Sequence, residues 1–421
     1  MEFFNIIYIF LVSVFLFTFN LSKNKKIDII QLIGLNLIIL SSVFLLLSFF
    51  KISILLIFYL LIFFRICNIL FITKKNDLLF NFKESFLNIK FILTFFIFFS
   101  LSIFLTNNIE LSWDAQNYNM LKVYHFYYEE DFIGLANLPA SHYPHLGQYL
   151  WAFFWKISLF KNEYSGRLFF IFINIFSIFF IFELIKKDNF YKIIFSFLCI
   201  ILTFNKTILS GGLEILSFSY LSLLSFFAYN SYKNNILNRI DILFIFLLIN
   251  ILLWIKNESA LIALIILLPI FFTTKKITVE KKKYLLILIV VAFFIRFFLL
   301  KYYDFKIDDY QLAETTKIDL NLFLKNIRVI TFYIFINIIK NPFFLLSYLF
   351  LFIFIKIFNK NLRIILYVSL LHIIFIYAAF MFNLPNVEWQ TRVAMDRILY
   401  STGSFFLMLF VFLANKISLK N

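Results

Sequence analysis

Apolar residues run along this chain in long blocks separated by short polar breaks, with no sustained alternation of apolar and polar positions. A helix needs about 17 to 25 mostly apolar residues to cross the hydrocarbon core. Blocks near that length lie at 3–21, 29–50, 52–73, 91–106, 168–185, 193–204, 213–229, 242–255, 260–272, 284–300, 342–358, 364–382 and 398–414. The pattern predicts an all-α, polytopic transmembrane helical bundle of about thirteen spans. A barrel would instead carry short segments of period two.

Composition strengthens this reading. Hydrophobic residues make up 63% of the 421 residues and charged ones 15%, below the roughly 25% of soluble domains. Gly and Pro number only 7 and 5, too few for many turns or broken helices. Cys67 and Cys199 both fall inside apolar blocks without metal-site spacing, so neither a disulfide nor a redox role is expected.

The net charge of +16 would suggest nucleic acid for a soluble protein, but here its distribution points to a membrane. Lys and Arg gather in alternate connections, at 22–28, 74–90, 186–192, 233–241, 275–283, 356–363 and beyond 415, which therefore face the cytoplasm. The opposite connections include the long polar stretches 107–167 and 301–326, which face outward. This parity places the N-terminus outside and the C-terminus inside, with the first block a retained span and no cleaved signal peptide. It holds only if 319–340 lies in the outer interface, stopped by Asn341-Pro342, because one more span there would invert the basic loop at 356–363. The expected organisation is a three-span extension, 1–90, followed by a core, 91–421. That core includes the outer loop 107–167 and the outer or interfacial segment 301–340.

The loop 107–167 is too long for a bare connection. It carries Trp113-Asp114, then Tyr118, His125, His142-Tyr143-Pro144-His145 and Arg167. A carboxylate beside an indole at the headgroup level is well placed as a general base for a group arriving from water, so Asp114 is the catalytic candidate. It also fits an ordinary solvated Asp after an interfacial Trp anchor. His125, His142 and His145 are candidates to position a sugar or phosphate. A divalent metal held by them with Asp114 is the alternative, and no cofactor is otherwise called for. Beyond the loop, Glu214, Lys256, Glu258, Arg392, Asp396 and Arg397 cluster at the outer ends of predicted spans. A cation there would stabilise a departing phosphate, and arginine suits bidentate recognition. Glu214 and Glu258 equally fit as structural partners of Lys206 and Lys256, and Arg392 and Arg397 as snorkelling residues. Snorkelling is the expectation for Arg296 and Arg328. Arg65, inside the third block, calls for a polar partner in the bundle, and His372 reads as a satisfied buried histidine.

Several of these features resemble the GT-C glycosyltransferases, most closely the bacterial relatives of the protein O-mannosyltransferases and the lipid A aminoarabinose transferase. They are Trp113-Asp114 with Tyr118, Tyr143-Pro144-His145 opening the next helix, Ser210-Gly211-Gly212-Leu213-Glu214, Lys256-Asn257-Glu258-Ser259 and Asp396-Arg397. The resemblance covers 91–414; Ser259 stands where the relatives carry Gly, and the first three spans have no counterpart. It implies a hexosyl or pentosyl transferase in the inner or plasma membrane with its catalytic carboxylate at Asp114. It further implies a polyprenyl-phosphate sugar donor and an extracytoplasmic acceptor, whether glycolipid, glycan or protein, and no nucleic acid. Trp113, Tyr118, His125, His142, Tyr143, His145, Arg167, Glu214, Lys256, Glu258, Arg392, Asp396 and Arg397 are then the substrate-binding candidates. The competing reading is a lipid-linked-glycan flippase or other transporter, which calls for broken helices and ionisable groups at mid-membrane. A glycan polymerase or ligase would need its long outer loop late in the chain, whereas the longest one here comes early.

Overall fold

The computed structural model describes residues 2–19, 28–72, 88–186, 189–204, 209–272, 274, 277–305, 320–354, 360–381 and 387–417. Lys206, residues 74–87 of the basic connection 74–90, the basic residues Lys23, Lys25, Lys26, Lys187, Lys275, Lys276 and Lys356, and the outer stretch 306–319 lie outside them.

The described residues form helices and no strand. In chain order these are α1 (Glu2–Phe17), α2 (Ile29–Ser48), α3 (Ile54–Ile72), α4 (Ile89–Thr106), α5 (Met120–Tyr128), α6 (Leu146–Ile157), α7 (Tyr164–Phe182), α8 (Asn189–Thr203) and α9 (Glu214–Asn234). There follow α10 (Arg239–Leu253), α11 (Asn257–Phe272), α12 (Val279–Tyr302), α13 (Leu320–Lys340), α14 (Pro342–Phe354), α15 (Lys360–Met381), α16 (Val387–Thr402) and α17 (Leu407–Ile417). A π-helical turn, Ala115–Asn119, precedes α5, and a 3-10 turn, Gly403–Phe406, joins α16 to α17.

Each predicted apolar block overlaps one helix, except 398–414, which runs from the end of α16 through the 3-10 turn into α17. Among the described residues, six helices are long and apolar enough to cross a membrane, or seven if one bent pair counts as a span. Helices α1, α3, α8 and α11 are apolar but shorter by that measure. The bent pair is α13 with α14, which meet at 100° around Asn341. Pro342 lacks the N–H that would continue α13, and Asn341 Oδ1 caps the Phe343 amide, so the chain turns there. Such a bend makes the pair either a broken span or a re-entrant turn.

Helix α7 is buried along its whole length and packs closely on α9. Helices α1, α2, α4, α6 and α8 surround α7, while α10, α11 and α16 pack on α9. The first three helices thus share one apolar core with the rest of the chain. At the periphery, α12 buries only Leu285, Ile289 and Ala292 and turns Phe294, Phe297 and Phe298 outward, as a lipid-facing helix does.

The two ends of the bundle differ chemically. At one, Lys90 Nζ donates to Glu183 Oε1 (2.8 Å) and Asp28 Oδ2 (3.2 Å), and Lys192 Nζ donates to Glu183 Oε2 (2.6 Å). The amide of Asn415, near the C-terminus, meets the 184–186 backbone at this same end. At the other end, Asn5 bonds Ser165 (2.8 Å), Ser48 bonds His145, and the loop 107–163 folds over the helices. The two termini therefore lie at opposite ends of the bundle. Arg65 finds the partners its position demands in the Phe15 carbonyl, Thr18 and Asn68. His372 is buried against Phe405 and bonds Thr402 (2.6 Å).

Candidate active site

Asp114 is positioned by a seam between two chain segments almost a hundred residues apart. Arg167, in the first turn of α7, is fully buried. It pairs with Glu163 (2.7 Å) and donates to the carbonyls of Leu209 and Ile109, each at 2.9 Å. This clamp brings 109 beside 209. The Ser112 amide then donates to the Ser210 carbonyl (2.8 Å), and Asn119 Nδ2 donates to the Gly211 carbonyl (3.1 Å). Gly211 has a φ of +83°, and a Cβ there would lie 2.7 Å from the Trp151 ring and 3.0 Å from Ala115. Only glycine fits both demands. Across this seam Asp114 enters the π-helical turn, a local underwinding often found at functional positions.

The same seam places Glu214 at the start of α9. Gly212 makes room for its carboxylate, since a Cβ on Gly212 would stand 2.1 Å from Glu214 Oε2. Oε1 of Glu214 takes three donors: Arg397 Nη2 at 2.7 Å, Arg397 Nε at 2.9 Å and Lys256 Nζ at 3.0 Å. The remaining donor edge of Arg397, Nη1, holds the Asp114 carboxylate. Two carboxylates and two cations from four distant segments thus form one neutral cluster. Its members are graded in exposure, from Glu214 at 6% through Lys256 at 18% and Arg397 at 27% to Asp114 at 39%. Burial works against the Lys256 charge, but Glu214 and Glu258 outweigh it and hold its pKa above the ordinary lysine value.

A cleft of about 360 Å³ adjoins the cluster through Asp396. Its lining mixes the polar side chains of Asn337, Lys340, Asn341 and Asp396 with the apolar ones of Ile201, Phe204 and Leu399, and includes none of the four cluster residues. It lies at the elbow between α13 and α14.

The other sequence candidates are placed differently. Trp113 is exposed and stacks edge-on against Tyr118 beside Asp114. Arg392 is exposed on α16, and half-buried Glu258 acts on Lys256 by its charge. His125 bonds Asp131 (2.8 Å), whose carboxyl is held below the ordinary range: burial opposes this, but His125, the Gly134 amide and Lys51 outweigh it. His145 is buried among Phe49, Phe126, Phe132 and Trp254, with Nε2 on Ser48 Oγ (2.8 Å). Burial, with Lys122 and Arg296 nearby, pushes its pKa well below 6.5. His142 is buried beside the Tyr143 ring. These histidines and Arg167 hold the loop in shape rather than meeting the cluster. Among the described residues, no three His, Cys, Asp or Glu side chains gather as metal ligands would.

Three features had no sequence signal. Lys122 is buried and donates to the carbonyls of Ala140 and Tyr143, both at 2.8 Å, anchoring the turn before α6. Lys156 bonds Glu130 (2.5 Å), tying α6 to the loop. Arg296, expected to snorkel, instead bonds Asn257 (2.5 Å) and lies over the Trp254 ring, because α12 passes beside the Lys256-Asn257 turn.

Fold and site together have the build of a multi-pass helical membrane protein with an ion cluster at one end of the bundle. No protein-family model, curated protein or solved structure matches the chain.

Proposed function

We propose that the chain is a membrane glycosyltransferase of GT-C type that moves a sugar from a polyprenyl-phosphate donor to an extracytoplasmic acceptor. The thirteen-span arrangement, with the N-terminus outside and the C-terminus cytoplasmic, belongs to the same reading. One observation carries it: Asp114, Glu214, Lys256 and Arg397 meet in one partly exposed cluster, and Asp396, next to Arg397, lines a cleft of mixed polar and apolar side chains. A general base and a cation suited to a phosphate are what such a transfer needs at adjacent positions. Asp114 takes the proton of an acceptor hydroxyl, whose oxygen attacks the anomeric carbon with inversion. The bond from that carbon to the phosphate oxygen breaks, and its electron pair leaves with the phosphate. Arg397 faces that charge, while Lys256 and Glu214 hold the guanidinium in place. The mixed cleft suits an amphiphile whose head is polar and whose tail continues into lipid.

The test is Asp114→Asn. Mass spectrometry of polyprenyl-phosphate lipids and surface glycans, from cells with wild-type protein, the variant or none, should find the variant indistinguishable from none at equal membrane abundance. Wild-type glycans with the variant would remove Asp114 from the mechanism.

The 100° break between α13 and α14 favours a second reading, since transporters build sites at broken helices. Reconstituted liposomes that translocate a lipid-linked sugar without transferring it would establish a flippase instead.

A further inference from the structure

We propose that the Asp114 carboxylate is the built-in occupant of a phosphate seat on Arg397, and that a phosphoryl head group binds by displacing it. The proposal rests on the reading of Arg397 as the cation that faces the donor phosphate.

The argument starts from the two edges of the guanidinium. One edge, Nε and Nη2, is committed to Glu214 Oε1, and that carboxylate is almost wholly buried and bonded to Lys256 as well. The other edge, Nη1, is held by Asp114, the most exposed member of the cluster. An anion arriving from the cleft or the water meets the edge that can open. A tetrahedral phosphoryl group, with several acceptor oxygens, suits a guanidinium edge at least as well as a carboxylate does. Two anions cannot share that edge without repelling each other, so the incoming group and Asp114 exclude one another.

The exclusion has a chemical consequence. While Asp114 is bonded to Nη1, that carboxylate oxygen is engaged and turned away from an acceptor hydroxyl. Seating the phosphate releases it. The base therefore becomes available only once the donor is in place, which orders the two substrates with the donor first. Glu214 and Lys256 are then positioning residues: they keep Arg397 from following Asp114 when it leaves.

The experiment measures binding of polyprenyl phosphate, and separately of inorganic phosphate, to the full chain in nanodiscs of zwitterionic lipid. Wild type, Asp114→Asn, Asp114→Ala and Arg397→Ala are compared at matched thermal stability. Removing the competing carboxylate should tighten polyprenyl phosphate binding about three- to tenfold in both Asp114 variants, the scale of a part-exposed charge-assisted contact. Arg397→Ala should weaken binding on its own and, added to either Asp114 variant, abolish the gain. The same tightening with inorganic phosphate assigns the seat to phosphate as such; tightening with the lipid alone assigns it to a lipid head group, and either supports the seat. Unchanged or weaker binding in both Asp114 variants, with Arg397 still required, overturns the displacement while leaving the proposed transferase intact. Equal binding by wild type and Arg397→Ala would instead remove Arg397 from phosphate recognition and the proposed mechanism with it.

Discussion

Replacing Glu214 by glutamine removes the one charge that three donors share. The charges of the four bonded members sum to zero, Asp114 and Glu214 against Lys256 and Arg397, so the variant leaves those four at +1, with Glu258 the remaining carboxylate acting on a Lys256 that is only 18% exposed. Orphaning one member of a buried ion pair costs about 3–5 kcal/mol. Lys256 and Arg397 can partly rehydrate, and Arg397 keeps Asp114, which brings the expected cost to about 2–3 kcal/mol. Most of that should come from the stranded lysine. Adding Lys256→Met removes the stranded charge, so the double variant should recover about 1–2 kcal/mol relative to the sum of the single ones. The assay is reversible unfolding in mixed micelles by increasing detergent denaturant, with the four proteins of the cycle side by side. Single-variant costs that add to within about 0.5 kcal/mol would refute a coupled cluster, because that is the scatter of independent sites.

Further outcomes follow from the same geometry. Gly212→Ala should displace the Glu214 carboxylate and abolish transfer; since the clash is with that side chain alone, adding it to Glu214→Ala should cost little stability. His145 is held neutral, with its pKa well below the 6.5 of a free imidazole. The unfolded chain therefore binds the extra proton as pH falls through 6.5. Stability from this group is present above that pH and declines below it by up to about 1.4 kcal/mol per pH unit. Thermal melts at pH 7.5 and 5.5 should differ less for His145→Gln than for wild type, and an unchanged difference would remove His145 as the source. For sidedness, in a background without Cys67 and Cys199, a cysteine at Tyr128 should react with an impermeant maleimide in intact cells. One at Asn234 should react only after permeabilisation, and the reverse pattern would invert the orientation.

How much of this was legible along the chain depends on the range of the force involved. Helices α7 and α9 follow from apolar blocks because burial is decided locally, residue by residue. Loop parity follows from Lys and Arg counts, and Asp28 and Lys90, from two of the basic connections, meet at one end of the bundle, whereas Asp114, Glu214, Lys256 and Arg397 meet in one cluster. The pairing inside each group was not legible. Glu214 had been open between Lys206 and Lys256, and nothing in either segment signals that Arg397, 183 residues on, takes the same oxygen. His145 and Arg167 carry functional-looking side chains, yet their partners are Ser48 and two backbone carbonyls, which no motif records. Conversely, Gly211 and Gly212 looked like one Gly-rich turn, and the fold divides them: one supplies a left-handed backbone, the other the space for a carboxylate.

The order in which the cluster's members occur along the chain also bears on how it is made. A ribosome delivers Asp114 first, then Glu214 and Lys256 only 42 residues apart, and Arg397 near the end. Glu214 would be a bare carboxylate at the rim of a nascent bundle if Arg397 were its sole partner. Lys256 arrives with the next helical hairpin and can neutralise it before most of the later helices exist. The final helices then dock against a rim already electrically quiet, and Arg397 closes onto both acids at once. The cluster is complete only once Arg397 has been made, so a chain truncated before it carries Glu214 paired with Lys256 and leaves Asp114 without its guanidinium.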